Sequence, residues 1–312
     1  MATSPKLSII TPIYYDSYLA ERFVESINKV EFNSIEIQEI IFVIDGGSKK
    51  DEEVLKDLAS KNTRVKLIFL SRNFGQHIAV SAGYKESIGD YVCMINVDQQ
   101  DPPQEIPKLL QLFTNGEEVD IVYGLRNERK DSFFKTLSSR IFNLILNKLT
   151  GDNTPLNVAT LRIMSRRFID SYNALSEKAR YIPGLESWIG FEKSYVQIES
   201  QNRIDGKSSY NFRKRLNMAV ESIVSFSDLP LRWSAYAGIL TAIIGFLTLI
   251  VLSLMKIYFI DFQSGYISTV ALILFIGGIQ IFVVGLASIY IGRILKEVQN
   301  RPLYIVKEKI NI

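Results

Sequence analysis

The chain is poor in the residues that make cross-links and metal cages. One cysteine among 312 residues, Cys93, excludes an intramolecular disulfide and argues against a Cys-based metal centre. It lies in an apolar run, where it reads as a small core hydrophobe. One histidine, His77, rules out a multi-histidine metal site. Neither sign of charge is in excess: 36 Lys and Arg against 33 Asp and Glu leave a net +3, so no global field points to nucleic acid. The opening residues, Met1 to Lys6, lack the basic region and apolar stretch of a signal peptide, and the chain is expected to start in the cytoplasm.

Long apolar runs are present, and they explain the mean hydropathy of +0.11. Ala235 to Leu254 and Ser268 to Ile291 carry no charge, and each reaches the ~20 residues that cross a bilayer. Arg213, Lys214, Arg215 and Arg232 precede the first run. Arg293, Lys296, Arg301, Lys307 and Lys309 follow the second, whereas the connecting loop holds only Lys256 and Asp261. By the positive-inside rule this is a two-helix transmembrane hairpin with both ends cytoplasmic. Gly238 and Gly245 are two turns apart, as are Gly278, Gly285 and Gly292, giving small-residue faces for packing within the hairpin or between copies as a homo-oligomer. Ahead of the hairpin, Phe212, Leu216, Ala219, Ile223 and Phe226 form an apolar stripe beside basic residues. This predicts an amphipathic interfacial helix that contacts the lipid bilayer, with a core-facing helix as the plain alternative. The expected divisions are 1–209, 210–232, 233–292 and a cytoplasmic tail, 293–312.

Residues 1–209 alternate between β-rich runs and helical patterns. Strands are expected at Leu7 to Ile13, Ile37 to Ile44, Val65 to Leu70, Tyr91 to Val97, Val119 to Tyr123 and Tyr195 to Glu199. Helices are expected near Leu19 to Ile27, then at Lys49 to Lys61, Gln76 to Ser87, Gln104 to Thr114 and Ser132 to Leu149. Pro183 to Phe191 reads as a glycine-punctuated turn, and Arg203 to Tyr210 as a polar loop. Such alternation calls for an α/β fold, a doubly wound, mostly parallel sheet. Asp45, Arg72, Asp98 and Arg126 each fall just after a strand, so they should gather along the sheet edge where open α/β sheets bind ligands.

The chain is organised around Asp90 to Pro103. An apolar strand runs into Asp98-Gln99-Gln100-Asp101 and is stopped by Pro102-Pro103, which suit the first turn of a helix. Hard oxygens at alternate positions suit Mg2+ or Mn2+, ions that share their ligands with substrate phosphates. A solvated acidic loop is the plain alternative. Lys135 and Ser139, four apart on one helix face, read either as a solvated surface or as a phosphate site completed by Arg126.

Ser71-Arg72-Asn73-Phe74-Gly75, Asp98 to Pro103, Ser165-Arg166-Arg167, Trp188-Ile189-Gly190-Phe191, Gly206 to Tyr210 and Pro230-Leu231-Arg232, in that order ahead of two apolar spans, carry a resemblance. The chain resembles the inverting family 2 glycosyltransferases of GT-A fold, specifically polyprenyl-phosphate glycosyltransferases such as bacterial bactoprenol glucosyltransferases and dolichyl-phosphate-mannose synthase. The resemblance implies transfer of a glucose-like sugar, with inversion, from a nucleotide-sugar donor (a UDP-sugar) to polyprenyl (undecaprenyl) phosphate at the bacterial inner membrane, serving cell-surface polysaccharide. It implies that Asp98 and Gln100 hold Mg2+ or Mn2+, with Asp98 and Arg126 catalytic. Pro12, Tyr14, Asp16, Asp45 and Arg72 would line the donor pocket, and Arg126, Lys135 and Ser139 would take the acceptor phosphate. His77 reads as structural or donor-adjacent rather than as a general base, and Glu186 is the spare carboxylate.

The sequence departs from the family's pattern at four points. Asp45-Gly46-Gly47-Ser48 stands for Asp-Asp-Gly-Ser, Asn96-Val97-Asp98 for Asp-X-Asp, Tyr14-Tyr15-Asp16 for Tyr-Asn-Glu, and Ala159-Thr160-Leu161-Arg162 for Gly-Asp-Phe-Arg. The alternative these departures motivate is a membrane-anchored pseudoenzyme or binding protein with a degenerate site.

Overall fold

A computed structural model describes residues 4–32, 35–127, 155, 157–201, 229–258 and 265–312. The expected helix at 132–149 with Lys135 and Ser139, the loop at 203–210 and the amphipathic helix at 211–226 lie outside the described residues. The chain divides into two compact units, Met1–Ala219 with Pro302–Ile312, and Val220–Arg301.

The first unit is built on one eight-stranded sheet. Its strands are β1 (Lys6–Ile13), β2 (Glu36–Ile44), β3 (Val65–Leu70), β4 (Tyr91–Met94), β5 (Ile121–Arg126), β6 (Val158–Ser165), β7 (Lys193–Ile198) and β8 (Val306–Ile310). The spatial order is β7-β5-β6-β4-β1-β2-β3-β8. Pairs β1–β2, β2–β3, β1–β4 and β5–β7 are parallel, whereas β6 runs antiparallel to both β4 and β5, and β8 antiparallel to β3. Because β6 reverses direction between them, β4 and β5 point the same way. Six strands therefore end on one edge, as the alternation predicted.

The helices beside the sheet are α1 (Ala20–Asn28), α2 (Lys49–Lys61), α3 (Gln76–Glu86), α4 (Ile106–Thr114), α5 (Arg166–Ala174) and α6 (Ile182–Ile189). Strand side chains alternate between faces, and both faces are covered. Ile10 and Val43 meet α3, while Ile9, Phe42 and Ile44 join Phe23, Ile27 and Leu55 in the main core cluster. At Gly83 in α3 an added Cβ would lie 2.4 Å from Ile10 Cγ2, so this helix approaches β1 as only glycine permits. Ser48 and Asp51 form a capping box that starts α2.

Three expectations need correction. The glycine-punctuated stretch after Pro183 is not a turn but α6, with Pro183 in its first turn and the left-handed Gly190 ending it. The strand expected through Val97 pairs only to Met94, so Asn96 and Val97 belong to the loop beyond it. The C-terminal stretch is not a mere tail. Residues 306–310 become β8, whose charges are all partnered: Lys307 by Glu52, Glu308 by Lys56, and Lys309 by Glu86.

The second unit contains α7 (Leu229–Tyr258) and α8 (Tyr266–Val298), which contact each other. Among the described residues one segment, Phe275–Val298, is long and apolar enough to cross a membrane, and Trp233–Thr248 is a shorter apolar stretch. Large side chains stand in the open here, Phe246 at 64% and Ile281 at 75% exposure. A Cβ at Gly238, Gly245, Gly278, Gly285 or Gly292 would meet nothing within 4 Å among the described residues.

Without β8 the outer edge of β3 would carry unpaired backbone beside buried Leu67 and Phe69. Truncation after Arg301 should therefore lower unfolding stability by ~3 kcal/mol or more and promote aggregation. Denaturant unfolding of the detergent-solubilised protein checks this, and an unchanged midpoint would show that the pairing contributes nothing.

Candidate active site

The edge where six strands end carries the expected cluster, and hydrogen bonds stitch its loops together. Asp45, directly after β2 and 3% exposed, accepts from the backbone N–H groups of Phe74 (2.6 Å) and Gly75 (2.8 Å). Its carboxylate is thus spent on the loop after β3 that carries Arg72. Gly46 adopts φ +82°, and a Cβ there would sit 3.2 Å from Asn73 N, so the absence of an acid at 46 follows from this close approach. Arg72 is exposed, stacks over the Phe74 ring (4.2 Å) and donates to its neighbour's carbonyl, Asn73 O (3.2 Å). Pro12 lies near the end of β1 opposite Val43. Tyr14 and Tyr15 follow, both about half exposed and edge to face, and Asp16 precedes the 3-10 turn Ser17–Leu19. Ser17 donates to Asp51, which ties the β1 loop to the start of α2 and lowers the Asp51 carboxyl below the usual carboxylate range. Sequence reasoning did not single out this tie.

The loop after β4 is nearly enclosed, with Asp98 7%, Gln99 8% and Asp101 2% exposed. Asp98 Oδ1 accepts from Gln100 N (3.2 Å), and Gln99 takes φ +53°, an uncommon conformation for a non-glycine residue. The Gln100 carbonyl accepts from Gln201 N. Asp101 accepts four bonds: from Arg126 Nε (2.7 Å) and Nη2 (2.9 Å), and from the backbone of Thr160 (3.0 Å) and Leu161 (3.2 Å). Asp101 is therefore the anchor of the loop, and Arg126, the last residue of β5, is held by its fork. Lys135 and Ser139 lie outside the described residues.

Beneath this edge is a buried ionic cluster that spacing alone does not reveal. Glu186 of α6 is fully buried, and its Oε2 accepts from Arg162 Nη1 (2.6 Å) and the Tyr123 hydroxyl (3.0 Å). Burial pushes the Glu186 carboxyl up, against the pull of Arg162. Arg162 Nε in turn donates to the Thr160 carbonyl (3.1 Å). His77 packs edge to face on Tyr181, and burial, with Arg162 nearby, lowers its pKa to about 4. It is neutral at physiological pH and offers no cation to a phosphate.

Glu186→Gln would leave the Arg162 charge uncompensated and should cost ~3–5 kcal/mol of unfolding free energy. Denaturation compared with wild type tests this, and a loss under about 1 kcal/mol would mean that the charge finds another partner. Between pH 6.5 and about 4 the unfolded chain binds a proton at His77 that the folded chain refuses. Stability should accordingly fall on acidification through that window, by up to ~3 kcal/mol. His77→Gln should flatten that part of the profile when midpoints are measured at pH 7, 5.5 and 4.5.

Residues 8–172 match the family Glycosyl transferase family 2. The Bacillus subtilis (strain 168) protein named Uncharacterized glycosyltransferase YkcC is 33% identical over 313 residues, covering 100% of this chain and 96% of its own length. The SfII prophage-derived bactoprenol glucosyl transferase of Shigella flexneri is 33% identical over 305 residues, covering 97% and 98%. Among solved structures, glucosyl-3-phosphoglycerate synthase from Mycobacterium tuberculosis, in complex with Mn2+, UDP-glucose and phosphoglyceric acid, shares the fold. Its TM-score is 0.51 at 15% identity, covering 71% of this chain and 78% of that one. With the family's signature over more than half of its length and relatives aligned end to end, this chain belongs to glycosyl transferase family 2 and is a glycosyltransferase.

Proposed function

We propose that this enzyme transfers a glucose-like sugar, with inversion, from a nucleotide-sugar donor, a UDP-sugar first among them, to a membrane polyprenyl phosphate such as undecaprenyl phosphate. The product would serve cell-surface polysaccharide. The observation that carries this reading is the end-to-end match to a bactoprenol glucosyl transferase, which spans 97% of this chain and so extends through both apolar helices.

The site's chemistry is consistent with that reaction. Asp101 is committed to Arg126 and the backbone, and Asp98 would be the loop's metal-binding carboxylate, with the Gln100 amide oxygen beside it in sequence. Among the described residues there is no cluster of three His, Cys, Asp or Glu able to hold a metal. That donor set fits a hard ion, Mg2+ or Mn2+, whose remaining ligands are water and the donor diphosphate. Such an ion, when bound, supplies Lewis-acid stabilisation to the leaving diphosphate. Arg126, oriented by its bidentate pair with Asp101, would contact the acceptor phosphate with Lys135 and Ser139. A phosphate monoester is already mostly dianionic at neutral pH and needs no base to become a nucleophile. Pro12, Tyr14, Asp16 and Arg72 would border the donor, with Asp45 shaping the pocket through the loop it holds.

The connectivity of the sheet constrains how the chain would cross a membrane. β8 pairs with β3 although α7 and α8 lie between them in the chain, so the chain must leave and return on the same side of any bilayer. The number of crossings between them is even. If Phe275–Val298 crosses, as its length and apolarity allow, the stretch that includes Trp233–Thr248 would be its partner span. The proposed arrangement is a two-span hairpin with the catalytic domain cytoplasmic by charge bias.

Membranes containing undecaprenyl phosphate, supplied with labelled UDP-glucose and Mg2+ or Mn2+, should yield a lipid-linked sugar. Asp98→Ala should reduce that yield ~100-fold or more while leaving the protein folded and membrane-bound; full activity in this variant would refute the assignment. Arg126→Lys keeps a charge opposite Asp101 but loses the fork. It should raise KM for the polyprenyl phosphate and leave KM for the donor unchanged. Should no nucleotide sugar be bound or used by the folded protein, the binding-protein alternative would take its place.

A further inference from the structure

We infer that Thr160 is a further acceptor-binding residue, whose hydroxyl donates to the phosphate of the polyprenyl phosphate beside Arg126. This rests on the reading of Arg126 as part of the acceptor-phosphate site.

Thr160 and Arg126 are neighbours through a single atom. Asp101 Oδ2 accepts from Arg126 Nη2 at 2.9 Å and from Thr160 N at 3.0 Å. From the other side, Arg162 Nε donates to the Thr160 carbonyl at 3.1 Å, and Arg162 is itself held by Glu186 at 2.6 Å. The backbone at position 160 is thus fixed at both its donor and its acceptor. Its side chain is only partly buried, at the edge where β4 and β5 end.

A second set of bonds gives the hydroxyl a direction. β4 and β6 are antiparallel with Cys93 opposite Ile163 and Met94 opposite Arg162, and extending this register by two residues sets Asn96 opposite Thr160. Asn96 Nδ2 donates to Thr160 Oγ1 at 3.3 Å, while Asn96 Oδ1 accepts from Gln76 Nε2, in the first residue of α3, at 3.4 Å. An amide nitrogen only donates, so the Thr160 proton cannot point back at Asn96. The chain of donation runs one way, from Gln76 through Asn96, and ends on a hydroxyl whose own proton is turned elsewhere. A phosphate suits that proton, because its terminal oxygens accept and carry charge, and a hydrogen bond to a charged group is stronger than one between neutral groups. Asp101 engages Arg126 through Nε and Nη2, so a phosphate would meet the guanidinium through its remaining N–H groups. A hydroxyl alongside serves a further oxygen of the same phosphate.

The test is Thr160→Val, which keeps a β-branched side chain on β6 and removes only the hydroxyl. Transfer from UDP-glucose to undecaprenyl phosphate gives KM for each substrate, and calorimetry on the full-length protein in detergent gives the affinity for farnesyl phosphate and for UDP. Thr160→Val should raise KM for undecaprenyl phosphate and weaken farnesyl phosphate binding by ~10-fold or more, with kcat, KM for UDP-glucose and UDP affinity changed less than about 3-fold. Thr160→Ala, which also lacks the hydroxyl, should show the same loss, and Thr160→Ser should restore acceptor binding to within about 3-fold of wild type. Wild-type acceptor KM in Thr160→Val, a loss that falls on UDP-glucose instead, or a Thr160→Ser variant as impaired as Thr160→Val would overturn the inference while leaving the proposed reaction intact. A wild-type protein that neither binds farnesyl phosphate nor glycosylates undecaprenyl phosphate would overturn the acceptor assignment and the inference with it.

Discussion

The candidate site depends on one buried carboxylate. Asp101 accepts from a guanidinium fork at the end of β5 and from two consecutive N–H groups of β6, while itself belonging to the loop after β4. Three segments distant in sequence are thereby held at one point. The carboxylate is almost wholly removed from water, so each of those bonds forms without competing solvent, and losing any partner would strand charge in a low-dielectric interior. The antiparallel β6 is what makes the geometry possible. It brings backbone donors to the edge where parallel strands end, a place that would otherwise hold only the loops after β4 and β5.

The second ionic cluster works from below on the same strand. Asp101 grips the N–H groups of Thr160 and Leu161, and Arg162, held by Glu186 and stacked near Tyr123, grips the Thr160 carbonyl. Residues 160–162 are therefore fixed from both sides. Asn96, which leans on Thr160, inherits a position set by two carboxylates that it does not touch. Arrangements of this kind let a neutral loop residue be placed accurately without charge of its own.

Much of this edge was legible in the sequence, for a plain reason. Apolar runs that end in polar clusters state where each parallel strand stops, and parallel topology then places those stops together; hence Asp45, Arg72, Asp98 and Arg126 were all found on one edge. What spacing could not carry was partnership. Asn96 and Thr160 are 64 residues apart, and nothing local marks them as neighbours until β4 and β6 are known to be antiparallel. Glu186 read as a spare acid in a turn, because composition does not report burial and Pro183 and Gly190 signal a turn as readily as a short helix's two ends. β8 was missed for an opposite reason. Val306-Lys307-Glu308-Lys309-Ile310 is dominated by charge, and Lys307 and Lys309 were counted as membrane-facing bias although they are paired with Glu52 and Glu86.

That last reading bears on how the molecule is made. β3 holds Leu67, Ile68 and Phe69 fully or almost fully buried, yet its outer neighbour arrives only after α7 and α8 have been synthesised. Until then β3 is an apolar edge strand, the kind of surface that pairs with other chains. The strand that closes it is only five residues long, and each of its three charges is matched to an opposite charge on α2 or α3. An edge so short and so charged is a poor template for a further strand, so β8 both satisfies β3 and ends the sheet. The charges that obscured β8 in the sequence are the ones that suit it to be the last strand.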